Sequence, residues 1–196
     1  MLSMKVDEFI EKLGSTESVP SGGSTVGVIS ALAGSLALMA SNVSVVSKKS
    51  KVNDSNKGYV DALIEKLYGC VDRFKFFATQ DAVVFEEYMK AAKEDKKDKM
   101  MDCLSVPLSC ARECLKCMDV MVELSPFIVS SIVSDMMIGF IMLRACFESC
   151  IINITINEKW INDEEVSESV RLFVNNNIKR VFNVVDEQLK ELGGRM

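Results

Sequence analysis

The sequence predicts an all-α fold: a bundle of about six helices, the long ones antiparallel, that dimerises. Three observations carry this. The first is the stretch from Pro20 to Ser47, in which no charged residue occurs between Glu17 and Lys48 although 26% of the chain is charged. A helix that is apolar or neutral on every side belongs in a core or in a membrane. The second is a set of long seams with apolar residues alternating at spacings of three and four, the period of a packed helix face. The third is composition. Three prolines, 7% aromatic residues and 48% hydrophobic residues in 196 positions favour helices over a β-sandwich. A chain of this length holds one domain with a sizeable core, here taken as residues 1–196.

The elements follow in order. Residues 3–13 fit a short helix, with Ser3 as cap, an apolar face of Val6, Phe9, Ile10 and Leu13, and Gly14 as its end. Pro20-Ser21-Gly22-Gly23 forms a turn, and Ser24 or Thr25 caps the central helix, expected over 24–46. Gly27, Ala31, Gly34, Leu38 and Ser41 make a stripe of mostly small residues that lets another backbone come close. Lys48, Lys49 and Lys51 lie at or beyond its C-terminus, where the helix dipole favours cations. A third helix is expected over 57–92, on a heptad-like seam from Val60 through Phe74 and Ala78 to Tyr88; Asp81 is its anomalous member.

The run 93–99 is a solvated connection or the exposed start of the next helix. The fourth helix, 97–124, carries Cys103, Pro107, Cys110, Cys114, Cys117 and Met121 on one stripe. Pro107 should kink or divide it, and Ser125-Pro126 ends it. The fifth, 128–157, carries Asp135, Gly139, Met142, Cys146, Cys150, Asn153 and Asn157, with Ser130 or Ser131 capping the turn before Asp135. Asn162 or Asp163 begins the last helix, which runs to about 192 on a seam from Val166 to Leu189 and closes at Gly193-Gly194.

Composition also bounds function. The chain has no histidine, the commonest general base and metal ligand, so acid–base chemistry falls to Asp, Glu, Lys, Cys or Tyr. A net charge of −5 argues against a nucleic-acid surface. Seven cysteines without a secretion signal fit a reducing cytoplasm. The spacing Cys110-x3-Cys114-x2-Cys117 matches a radical iron–sulfur motif, but it is also one helix face that continues to Cys103 and Met121. Buried thiols in a packed seam, with no metal, are the reading adopted. Both long apolar stretches could span a bilayer by length. The first carries several Ser and Thr and the second contains Asp135, Arg144 and Glu148, so core helices are preferred and no membrane partner is expected.

Asp81 and Asp135 are the informative residues. A carboxylate on an apolar seam loses hydration and needs compensation. One reading is a buried carboxylate satisfied by a cap, a lysine or an amide; the other is a pocket that needs negative charge. Asn153 and Asn157 look like a pocket pair. They lie roughly 27 Å along a straight helix from Asp135 at 1.5 Å per residue, so one chain cannot bring all three to one small site unless the helix bends. A second subunit could.

The ordered set of motifs resembles the cyclodeaminase/cyclohydrolase family of folate enzymes, the C-terminal domain of formiminotransferase-cyclodeaminase and its stand-alone relatives. It comprises Pro20-Ser21-Gly22-Gly23-Ser24, then Ala40-Ser41-Asn42, Lys48-Lys49, Asp81 with Phe85, Val106-Pro107-Leu108, Ser134-Asp135, and Ile152-Asn153-Ile154-Thr155-Ile156-Asn157. Ser21 stands where the family has Gly, Val129-Ser130-Ser131 where it has Asn-Pro-Asn, and the Lys-rich segment lacks the usual Tyr.

The resemblance implies a metal-free helical domain that forms a homodimer and takes a tetrahydrofolate derivative as substrate. It would close 5-formimidoyltetrahydrofolate to the 5,10-methenyl form with loss of ammonia, or open the methenyl form with water. It implies Asp135 as the carboxylate facing the methenyl cation and taking a proton, with Asp81 second or gripping the pterin edge. Gly22, Gly23 and Ser24 would offer helix N-terminal amides. Lys48 or Lys49 would meet the glutamate carboxylates or hold an aspartate ionised. Asn42, Ser134, Asn153 and Asn157 complete the expected substrate contacts. The alternative is a helical dimer without turnover, binding folate or acting as a scaffold.

Overall fold

The computed structural model describes residues 2–196. Six helices form: α1 Val6–Leu13, α2 Gly22–Val46, α3 Lys57–Lys90, α4 Lys96–Leu124, α5 Val133–Ile161 and α6 Glu164–Gly193. Two short 3-10 turns, Ser125–Phe127 and Ser130–Ile132, join α4 to α5. There is no strand among the described residues.

Helices α2 to α5 make an up-down-up-down four-helix bundle, in which each helix packs on its two neighbours and α2 also touches α4 across the diagonal. Glycine sets how closely α2 approaches α3. A Cβ built on Gly27 would lie 2.5 Å from the backbone nitrogen of Ala78, and one on Gly34 would lie 2.8 Å from the Val71 side chain. The small-residue stripe is thus a line of near backbone contact. On the opposite side, Gly139 brings α5 against the Ala33 carbonyl, where a Cβ would sit 3.1 Å away. Helix α6 packs on α5 and reaches α4 through an Arg180–Asp119 ion pair.

The ends differ from expectation in ways the hydrogen bonds explain. Helix α2 begins at Gly22, because Ser21 is the cap: its side chain accepts from the Ser24 amide and its carbonyl accepts from the Thr25 amide. Helix α1 starts only at Val6, with Lys5 rather than Ser3 at the cap and no side-chain cap bond. Its apolar face is uncovered; none of its residues is buried. Pro107 does not divide α4, which runs unbroken from Lys96 to Leu124.

Helix α5 starts at Val133 rather than 128, since the chain before it is held in another shape. The Val129 amide donates to Ser44 Oγ (3.0 Å), and Arg195 donates to the carbonyls of Ser125 and Ile128. Ile132, not Ser130 or Ser131, occupies its cap position without a side-chain bond. The helix then continues to Ile161 and stops at Asn162, whose φ of 51° is left-handed. Asp163 caps α6 through its side chain, as the sequence suggested.

All seven cysteines are free thiols buried in the bundle. Helices Gly22–Val46 and Ser130–Ile161 are long and apolar enough to cross a membrane, each with a mean hydropathy of 1.7 over the best window. Much of α2 is instead covered by the bundle, and Arg144 in mid-α5 pairs with Asp186 of α6 at 2.8 Å.

Candidate active site

The α3 seam is buried from Val60 to Ala78 and opens at Asp81. There the carboxylate meets the N-terminus of α2. Ser21 Oγ donates to Asp81 Oδ2 at 2.6 Å and Ser24 Oγ donates to the same oxygen at 3.0 Å. Among the described residues Oδ1 accepts no hydroxyl bond of this kind and lies close over Gly23. Gly23 makes the approach possible, because a Cβ there would stand 2.0 Å from Oδ1. Ser24 is fully buried and its amide serves the helix cap, so it faces Asp81 through its hydroxyl.

Around this carboxylate lies a cavity of about 390 Å³ between the N-terminus of α2, the second half of α3 and the end of α5. Its polar wall includes Ser21, Gly22, Gly23, Asp81, Asn153 and Asn157. Asn157 donates its side-chain NH₂ to the Cys103 carbonyl at 2.8 Å, which fixes the amide and leaves its oxygen as an acceptor. The apolar wall comes from Phe85, Tyr88, Met100, Ile156 and Trp160. The Cys103 thiol in the same wall is pushed up to about 11, mainly by burial and next by the Asp81 charge, so it stays protonated and is a poor nucleophile.

The other expected residues lie at the far end of the bundle. Gly139 packs on Ala33 and Ala37, so Asp135, one turn earlier, stands level with the last third of α2. It is half-buried, and its neighbour Ser134 lies 3.4 Å from its carboxylate. Lys48 and Lys49 are exposed just past the end of α2. Asn42 is exposed, and its side chain donates to the Tyr68 hydroxyl at 3.2 Å. Helix α2 alone spans roughly 36 Å at 1.5 Å per residue, and α5 is unbroken from Asp135 to Asn157. One chain therefore gathers Gly22, Gly23, Ser24, Asp81, Asn153 and Asn157 at one end. Asn42, Lys48, Lys49, Ser134 and Asp135 collect at the other.

Sequence reasoning missed Ser21 as a partner of Asp81, and it missed Tyr88, Cys103, Ile156 and Trp160 as walls. Signals for three of these existed. Tyr88 follows Asp81 by seven residues on the same seam, and Asn153, Ile156, Asn157 and Trp160 sit at i, i+3, i+4 and i+7 on one face. No cluster of three or more His, Cys, Asp or Glu side chains has a metal-binding arrangement among the described residues.

Comparison with known proteins places this all-helical chain in a family of folate-related domains by its sequence. The family model described as formiminotransferase-cyclodeaminase matches residues 5–176, and the chain belongs to that family. Among solved structures it is similar to the formiminotetrahydrofolate cyclodeaminase of Thermotoga maritima, with a TM-score of 0.89, 21% identity and 98% of each chain covered. At that identity the likeness speaks for the fold. No curated protein matches the sequence.

Proposed function

We propose that this protein is a folate enzyme acting on the one-carbon unit at N5 and N10 of tetrahydrofolate, as a formimidoyltetrahydrofolate cyclodeaminase, a methenyltetrahydrofolate cyclohydrolase, or both. Membership of the family supports the substrate class. The observation that carries the site is the Asp81 carboxylate, held by two hydroxyls in the wall of a cavity of about 390 Å³. Such cavities suit small ligands.

In the deamination, N10 adds to the carbon of the protonated formimidoyl group and gives up its proton, and the amino nitrogen takes one and leaves as ammonia. In the hydrolysis, water adds to the methenyl carbon and loses one proton; the C–N5 bond then breaks as N5 takes the hydroxyl's second proton, leaving the 10-formyl group. Both routes pass through a cationic amidine carbon. A fixed carboxylate stabilises that cation and accepts the proton. Asp81 grips the polar edge of the bicyclic ring, with Asn153 and Asn157 beside it.

Asp135 is the proposed base, and it reaches the cavity from a second copy of the chain. The motivation is an uncovered apolar face on neighbouring helices: Leu32, Met39 and Val43 of α2, and Ile138, Ile141 and Ile152 of α5 are all exposed. A two-fold axis perpendicular to these helices, near the middle of the face, pairs each end with the opposite end of the other copy. Asp135, Lys48 and Lys49 of one copy then lie by the Asp81 cavity of the other. The same face, the Arg144–Asp186 pair and the net charge of −5 favour a soluble homodimer over a membrane or nucleic-acid partner, and the seven free thiols suit the cytoplasm.

The test is direct. 5-Formimidoyltetrahydrofolate and 5,10-methenyltetrahydrofolate are each mixed with the protein and the near-ultraviolet absorbance of the methenyl form is followed; a rise with the first, a decay with the second, or both, faster than in buffer, is expected. Rates equal to buffer with both, with the ligand still bound, sink the enzyme reading in favour of a folate-binding scaffold. The altered segment Val129-Ser130-Ser131 is the feature that motivates that second reading.

A further inference from the structure

The indole of Trp160 has no role in the proton chemistry, yet 71% of this residue is exposed at the rim of the cavity. Burying a large aromatic side chain is among the larger gains available to a chain, so a tryptophan left open beside a cavity calls for an occupant. Its surroundings say which kind. Asn153, Ile156, Asn157 and Trp160 follow one another on a single face of α5, and all four line the cavity. The amides and Asp81 form the polar part. Trp160, Ile156 (50% exposed) and Phe85 (37% exposed) form an apolar rim. From Asn153 to Trp160 the helix rises roughly 10 Å.

We propose that Trp160 is a substrate-binding residue on which the benzoyl ring of the folate stacks, while the bicyclic ring lies at Asp81 and the two asparagines. This rests on the folate reading above and deepens it. In a folate the two ring systems are joined through one methylene and N10, so they are close enough to occupy the two halves of one such face. A flat, electron-rich indole suits a flat aromatic amide, and aromatic pairs prefer offset or edge-to-face contact. The reacting carbon, bound between N5 and N10, then lies between two anchors.

Trp160 is the chain's single tryptophan, so its emission reports on this one position. The probe is 5-formyltetrahydrofolate, which carries a carbonyl oxygen where the formimidoyl substrate carries nitrogen and so cannot release ammonia. Saturable quenching of the tryptophan emission is expected, at the concentrations at which the probe competitively inhibits methenyltetrahydrofolate turnover. Trp160→Ala should raise KM for methenyltetrahydrofolate about tenfold with kcat within about threefold, the pattern of lost uniform binding. Trp160→Phe should restore most of the loss, and the thermal midpoint should move little in either variant.

An unchanged KM in Trp160→Ala overturns the proposal. So does a blue-shifted emission in the ligand-free protein that acrylamide cannot reach, because the second copy would then cover the indole. These outcomes are separable from failure of the folate reading itself, which would show as absent turnover and absent competition by the probe in the unaltered protein.

Discussion

Gly23→Ala should disarm the cavity while leaving the bundle folded. The added Cβ would stand 2.0 Å from Asp81 Oδ1, 2.5 Å from Cγ and 2.8 Å from Oδ2. Ordinary contact begins at 3.4 Å, so the carboxylate must retreat by about 1.4 Å. It can do so by rotating, since everything it meets is side chain, but it then leaves the hydroxyls of Ser21 and Ser24. Bonds to a charged group contribute about 1.5–3 kcal/mol each, less here because Asp81 is only half-buried and water replaces them. Alanine returns up to about 1 kcal/mol of helix propensity over glycine. The net change in stability should stay within about 2 kcal/mol, well below the 5–15 kcal/mol of a typical domain.

The rate is another matter. A misplacement of about 1 Å can cost a hundredfold, so kcat/KM for methenyltetrahydrofolate should fall roughly a hundredfold in the absorbance assay while the urea midpoint shifts modestly. Two other glycines serve as controls. Gly69→Ala meets nothing within 4 Å and should behave as the parent. Gly27→Ala drives its Cβ to 2.5 Å from the Ala78 backbone, which cannot rotate away, and should lose about 1–3 kcal/mol of stability. A Gly23→Ala protein with parental kcat/KM would show that the Asp81 carboxylate is not part of the working site.

Asp135→Asn should lower turnover at least about a hundredfold with little change in thermal midpoint, whereas Asp81→Asn should weaken folate binding more than turnover. At folate concentrations well below KM, where both variants are slow, mixing them under conditions that exchange subunits should restore about a quarter of parental activity if the halves of the site come from two copies; no recovery would refute the shared site. Light scattering should report a dimer at micromolar concentration, and Ile141→Glu should dissociate it; a monomeric parent would remove the reason for the exposed α2 and α5 face. Burial raises the Cys103 and Cys146 thiols to about 11, so the folded state keeps those protons after the unfolded state has lost them. Stability is then complete below the unfolded thiol range near ~8.5 and falls as pH rises toward 11, by at most about 1.4 kcal/mol per pH unit for each thiol. Urea melts of equal midpoint at pH 7.5 and 10 would contradict this.

The helices were legible because their signal is local. The uncharged run after Glu17 marked α2, and the three-and-four spacing marked α3 through α6, since a 3.6-residue period shows wherever one face is buried. The backbone contact of α2 was legible too, from the small residues at Gly27 and Gly34. The anomalous aspartate on the α3 seam left two readings open, a carboxylate satisfied within the protein or a pocket, and Asp81 both accepts from Ser21 and Ser24 and lines a cavity.

Tertiary structure decided the rest. Ser21 replaced Ser24 as the cap and took hold of Asp81, sixty residues away in sequence, a pairing no local pattern contains. The start of α5 moved from 128 to Val133 because Ser44 and Arg195 claim backbone groups before it. Above all, the fold sorted the expected site residues into two sets at opposite ends of the bundle. A sequence records which positions share a helix face, but which ends of antiparallel helices meet depends on packing between distant segments, and only the folded chain specifies that.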